Sequence, residues 1–268
     1  PQARVVLVAF GSVRTAADAV ARVIADGLIP AAMEMMDGAT VRAVNAFLDI
    51  GYPDDAEAIL LIEADGTADE VDADIASIEA LMHECGASEL RLSHDEAERQ
   101  RLWAGRKAAF PAAAMLAPDY YCMDGSIPRA KVGEVIEQIA ELGREFGLAC
   151  INVFHAGDGN LHPLILFDAN QADELARAER YGTRIAELCL AAGGTITGEH
   201  GVGIEKLDAM CSQFNAAELA QFRALKEAFD PDGLLNPGKL IPELHRCAEY
   251  GRMHVHHGQL PHPELPRF

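Results

Sequence analysis

The residues with the clearest chemical potential lie in CINVFHAGDGNLHPLILFD, Cys150–Asp168. Two apolar stretches flank AGDGNL, and Gly157, Asp158, Gly159 and Asn160 are turn formers that tolerate positive φ. His155 ends the first stretch and His162 begins the second. A hairpin pairing symmetrically about Asp158-Gly159 sets the two histidines opposite each other, with Cβ atoms about 4.5–5.5 Å apart on one face. Two imidazoles at that separation can share a divalent ion, at Zn–N distances of about 2.0–2.1 Å. Taken alone, two histidines beside a turn are more often a partly exposed pair without a ligand. A second segment, GEHGVG at Gly198–Gly203, directly follows the short run TIT. Its glycines imply a tight turn where backbone or ligand comes close. Glu199 would complete a His₂Glu set with His155 and His162, leaving the open position of a catalytic metal site. His200 would then be left to act as a base. The alternative is a helix N-cap carrying a surface glutamate.

These residues need elements to hold them. Arg4–Phe10 is β-branched and apolar, and Ala58–Ala64 reads as a buried strand. Ala31–Met36 is a short strand candidate, and Leu90–Ser93 another. Ser12–Leu28 carries apolar residues at helical spacing, with Ser12 as its N-cap. Ala39–Leu48 and the amphipathic Thr67–Cys85 also read as helices, the latter closed by Gly86. Asp95–Phe110 reads as a helix stopped by Pro111, and Arg129–Phe146 as one followed by Gly147. Tyr120–Ile127 is a strand candidate, as are Cys150–His155 and Leu161–Phe167 on either side of the turn. Gln171–Ala192 and Asn215–Phe229 complete the helices. The alternation suggests a sheet covered by helices.

Composition narrows the function classes. A formal net charge of −20 over 268 residues makes nucleic acid an unsuitable partner, because no basic surface neutralises phosphates. Cationic residues therefore merit individual attention, since an anionic substrate needs them. No stretch approaches the roughly 18 apolar residues of a membrane helix, and no basic, apolar leader opens the chain. Pro1, followed at once by strand-like sequence, leads to the expectation of a chain cut at a domain boundary. The six cysteines form no zinc or iron–sulfur spacing, and reduced thiols packed as small apolar residues are expected.

Five segments together carry a family resemblance: HAGDGNLHPLILFD, TGEHGVGIEK, LWAGRKAAFP, PDYYCMDGSIPR and AFDPDGLLNPGK. They resemble the C-terminal domain of FAD-linked oxidases, a group similar to the vanillyl-alcohol-oxidase flavoproteins. The group includes D-lactate and D-2-hydroxyglutarate dehydrogenases and glycolate oxidases, whose D subunit carries flavin. DYYCMDGSIPR and the tail from Leu244 look specific to the glycolate oxidase branch.

The resemblance implies an α+β fold, with a ferredoxin-like antiparallel sheet and helices on one face, forming the substrate cap of the enzyme. Residues 1–214 would be the cap. Residues 215–242, a helix and the LLNPGK segment, would return to a flavin domain, and 243–268 would be a tail. The N-terminal half that holds most of the FAD would be absent. The implied reaction is oxidation of a 2-hydroxy acid such as glycolate or D-lactate, its α-hydrogen passing to FAD.

The resemblance also implies residue roles. His155, His162 and Glu199 would bind a zinc or manganese ion, and His200 would be the base. Arg106 would hold the substrate carboxylate by a bidentate fork, and Asn160 would contact substrate. Asn236 and Lys239 would approach the flavin. Read from the residues, Lys206 and Lys239 follow glycine-rich turns and could touch flavin phosphate or solvent. Some relatives place a lysine where Cys122 stands, and its absence fits a small substrate. From the residues alone, the favoured reading of Arg106, in a charged helix, is a surface ion-pair partner, and that of Trp103 a core residue. His254, His256 and His257 suggest a tail contact or a second metal. Implied partners are a second flavin-type subunit and an iron–sulfur subunit, in the cytoplasm and peripheral to the inner membrane through them. Two rival readings stay open, a hydrolase using the His₂Glu site and a non-catalytic interaction module.

Overall fold

A computed structural model describes residues 2–242. The tail residues 243–268, with the histidine-rich MHVHH, lie outside the described residues. By its internal contacts the chain divides into two units, residues 1–198 and 199–268, the division falling within the glycine-rich GEHGVG segment.

The first unit is a mixed helix and antiparallel sheet structure. It begins β1 (Gln2–Phe10), α1 (Val13–Ala25), β2 (Ala32–Asp37), α2 (Gly38–Leu48), β3 (Ala58–Gly66), α3 (Ala68–Glu84) and β4 (Glu89–Leu92). It continues α4 (Glu96–Lys107), α5 (Ala109–Ala113), β5 (Asp119–Cys122), β6 (Gly125–Ser126) and α6 (Val132–Phe146). The last elements are β7 (Cys150–His155), β8 (Asn160–Leu161), β9 (Pro163–Phe167) and α7 (Glu174–Ala191). The strands run β4-β1-β3-β2-β7. At the outer side of β7 the sheet forks, into β8-β6 and into β9-β5.

The helix ends follow local chemistry. Ser12, Asp37 and Thr67 each accept a backbone N–H in the first turn, as caps. Thr67 and Glu70 form a reciprocal capping box. Gly147 takes the left-handed conformation that ends α6. Pro111 does not stop the helical chain as expected. It lies in the first turn of α5, where its missing N–H costs nothing.

The antiparallel α+β class holds, but helices cover both faces of the sheet rather than one. Val6, Val8 and Phe10 pack with α1, α3, α6 and α7 in one apolar layer. Val5, Leu7 and Ala9 pack with α2, α4 and α5 in another. The cause is visible in the strands. VVLVAF is apolar without alternation, so its two faces are equally hungry for cover. Four cysteines, Cys85, Cys122, Cys150 and Cys189, are free thiols.

One buried carboxylate locks the sheet where it matters. Asp37 caps α2 through Thr40 N–H (2.8 Å) with Oδ1, while Oδ2 accepts from Asn152 N–H (2.7 Å) and Nδ2 (2.9 Å) on β7. Burial pushes this carboxyl above the ordinary carboxylate value, against the hydrogen bonds that favour its charge. The clamp sits three residues from the β2–β7 pair Glu34↔His155 and so fixes that register.

The second unit contains α8 (Leu207–Gln213) and α9 (Ala216–Phe229). Asn215 and Glu218 form a capping box at the start of α9. Among the described residues no helix is long and apolar enough to cross a membrane.

Candidate functional site

The hairpin around the two histidines forms, in a different register from the symmetrical one. His155 pairs with Asn160, Ile151 with Leu164 and Asn152 with Pro163. The turn is centred between Gly157 and Asp158, closed by Gly159 N–H on the His155 carbonyl at 3.1 Å. Gly159 supplies the positive φ of 72° that the turn needs. His162 therefore lies diagonal to His155, not opposite it. Diagonal neighbours on one face remain within reach of ring side chains, and the two imidazoles stand edge to face with centroids 5.2 Å apart.

Strand alternation puts both histidines on the face of the second apolar layer, with Ile151, Val153, Leu164 and Leu166. The site is where that layer turns polar. His162 is buried, with its Nδ1 3.2 Å from the Met123 carbonyl and its ring tilted against Phe110 at 6.5 Å. His155 is half-buried, and its Nδ1 lies 2.6 Å from Glu34 Oε1.

Glu34 is the residue that sequence reasoning missed. It is buried in β2 and directly opposite His155 in the ladder. Its other oxygen, Oε2, accepts from Arg106 Nε at 2.9 Å and lies 2.9 Å from Arg106 Nη2 in an ion pair. Arg106 is buried at the C-terminal end of α4, where a cation is favoured by the helix dipole. The fork expected to be open toward a substrate is thus engaged along its Nε/Nη2 edge. The only signal in the sequence was a single acidic residue inside the otherwise apolar AMEMM.

The same face of α4 is anchored further along. Trp103 packs on the second layer and donates from Nε1 to Glu63 Oε2 at 2.5 Å. Arg99 donates to the same oxygen at 2.7 Å. Residues 99, 103 and 106 are spaced i, i+4, i+7, one side of a helix. A cleft of about 220 Å³ opens beside the site, bordered by Met33, Glu34, Arg129, His155 and Asp158 among others. Arg129 holds its rim by donating to the Gly157 carbonyl at 2.9 Å.

The remaining expected residues fall in several places. Asn160 is buried, and its Oδ1 accepts from Ser126 Oγ at 3.4 Å. Gly198 makes the close approach expected of its motif, since a Cβ there would lie 2.3 Å from Asn160 Oδ1. Buried Asp124, also missed, ties down this point by accepting from Thr197 Oγ1 (2.6 Å) and Gly198 N–H (3.1 Å). Glu199 and His200 belong to the second unit and are exposed, with His200 Nε2 3.9 Å from Glu199 Oε1. Lys206 is buried. Asn236 adopts a positive φ of 49° in the LLNPGK turn and accepts from Lys239 Nζ at 3.3 Å.

The two imidazoles are of the ligand type a divalent ion takes. Metal-bound imidazoles are usually oriented by a carboxylate or carbonyl at the other ring nitrogen, and Glu34 and Met123 stand at those positions.

The family model for FAD linked oxidases, C-terminal domain, matches residues 1–240. Glycolate oxidase subunit GlcD of Escherichia coli (strain K12) is 58% identical over 268 residues, 100% of this chain and 54% of that protein. The subunit of the same name from Bacillus subtilis (strain 168) is 35% identical, over 89% of this chain and 51% of its own length. A probable mitochondrial D-lactate dehydrogenase of Danio rerio is 30% identical, over 87% of this chain and 47% of its own. The chain thus spans about half the length of the curated relatives it matches. Its fold is shared with 4-ethylphenol oxidase from Gulosibacter chungangensis, at a TM-score of 0.68 and 15% identity, over 91% of this chain and 55% of that one. With the family model matching nearly its whole length, the chain belongs to the C-terminal domain family of the FAD-linked oxidases.

Proposed function

We propose that this chain forms the substrate side of a flavin-dependent 2-hydroxy-acid oxidoreductase acting on glycolate or D-lactate. The observation that carries the reading is a buried arginine and a histidine joined through one carboxylate, with a second histidine edge to face with the first, in a chain of this family. The names of the relatives, glycolate oxidase subunit and D-lactate dehydrogenase, support the substrate class.

Arg106 binds the substrate carboxylate with its Nη1/Nη2 edge, the edge not engaged by Glu34. His155 and His162, joined by Glu199, hold a zinc or manganese ion. When bound, that ion supplies a Lewis acid for the substrate hydroxyl. His200 accepts the hydroxyl proton near neutral pH. FAD, held mostly by an N-terminal half and contacted from this chain by Asn236 and Lys239, supplies when bound the acceptor for the α-hydrogen. Residues 1–214 act as the cap and 215–242 as the segment that returns to the flavin half. A second flavin-type subunit and an iron–sulfur subunit complete the assembly at the cytoplasmic side of the membrane.

The test is metal content per chain by elemental analysis, on the protein and on His155→Ala. The expected result is bound zinc or manganese that the substitution abolishes. Equal content in the two proteins would remove His155 from the ligand set.

A further inference from the structure

We propose that Glu34 is the positioning residue of this site, fixing the proton of His155 on Nδ1 and holding Arg106 by one edge. The proposal deepens the functional reading above and rests on it for the claim that His155 and Arg106 meet a ligand. The tautomer itself does not depend on that reading.

Glu34 sits between Met33 and Met35 in the middle of a buried strand. A carboxylate there is costly unless fully partnered, and its two oxygens are divided between two side chains. Oε2 takes both contacts from Arg106, and Oε1 is reserved for His155. Arginine only donates, so the carboxylate is the acceptor in the Arg106 contacts at Oε2, and Oε1 is left as a second acceptor site facing His155. The atom that faces Oε1 at 2.6 Å is then an N–H. With the proton on Nδ1, a neutral imidazole carries its lone pair on Nε2, the form that binds a metal or accepts a proton.

The second histidine follows the same rule. His162 Nδ1 faces the Met123 carbonyl, which can only accept. The same assignment therefore falls on both rings, the proton on Nδ1 and the lone pair on Nε2. A merely structural role would require no such order. Buried ion pairs contribute little net stability once desolvation is counted, and Arg106 alone would neutralise Glu34. What the third partner adds is a defined tautomer and ring plane for His155. The backbone prepares this, because Glu34 and His155 are direct ladder partners held in register by the Asp37–Asn152 clamp.

The experiment is long-range ¹H–¹⁵N correlation on the full chain labelled with ¹⁵N-histidine, with His155 assigned from His155→Gln. The wild type is expected to show the Nδ1–H tautomer. In Glu34→Gln the amide has one acceptor oxygen. Arg106 keeps that oxygen, the amide NH₂ turns to His155, and the ring proton moves to Nε2. Zinc affinity, measured by calorimetry with Zn²⁺ alone, is expected to fall about 10–100-fold. A wild-type proton on Nε2 overturns the proposal, whether or not the variant folds. So does a variant that retains the Nδ1–H tautomer and unchanged zinc affinity. The expected tautomers with no zinc binding to either protein uphold the role of Glu34 and sink the metal part of the proposed function instead.

Discussion

Arg106 and lysine would carry the same charge, yet they are not equivalent at this position. The guanidinium meets Glu34 along its Nε/Nη2 edge and keeps a second edge in a fixed direction. An ammonium is a point charge that can satisfy Glu34 only by giving up that direction. In the assembled enzyme, Arg106→Lys is expected to lower kcat/KM by about 100-fold, chiefly through KM, if the second edge binds substrate carboxylate. Steady-state kinetics check this, and an unchanged KM would take Arg106 out of substrate binding. Much of this residue-level site was legible. His155 and His162 stand out because their type is rare in apolar surroundings, whereas Arg106, in the charged segment EAERQRLWAGRK, stands out only through the family resemblance. Glu34 was not legible, since 121 residues separate it from His155 and only strand pairing brings the two together. Asp124 was hidden for the same reason, lying 73 residues from Thr197.

At the scale of elements, the decisive quantity is register. Composition announces a hairpin at residues 150–167, but not how many residues its turn takes. Four turn residues form instead of a symmetrical pairing about Asp158-Gly159, which moves His162 from opposite His155 to its diagonal. The Pro111 misreading has a similar origin, because a proline marks a helix start as readily as a stop. The cover on both faces was legible in the unbroken apolar run of β1, although the resemblance pointed to one face. The β2–β7 register depends on Asp37, whose side chain serves donors on both α2 and β7. Asp37→Ala would strand those buried donors, at a cost of about 3 kcal/mol. Urea unfolding monitored by circular dichroism measures it, and a loss below about 1 kcal/mol would show that the clamp is dispensable.

At the scale of the whole molecule, the chain spans about half the length of its curated relatives, and its second unit leaves large apolar side chains in the open. Phe229, Leu234 and Leu235 are 80%, 76% and 61% exposed around the LLNPGK segment. Large apolar side chains clustered in this way favour burial against another surface. Produced alone, the chain is expected to self-associate in sedimentation velocity, and Phe229→Ser with Leu234→Ser to shift it toward monomer. A monomer at every concentration would argue against an unmet docking face. The sheet itself has a further consequence, in the order of its synthesis. Strands β4-β1-β3-β2 all come from residues 2–92, whereas β7 begins only at Cys150. During translation β2 is therefore an open edge, with unpaired backbone groups among methionines. Open edges invite pairing with other chains, and inward-pointing charges are a way to prevent it. Glu34 and Asp37 put two carboxylates on that edge, so the residues that later align the site first guard the half-made sheet against aggregation.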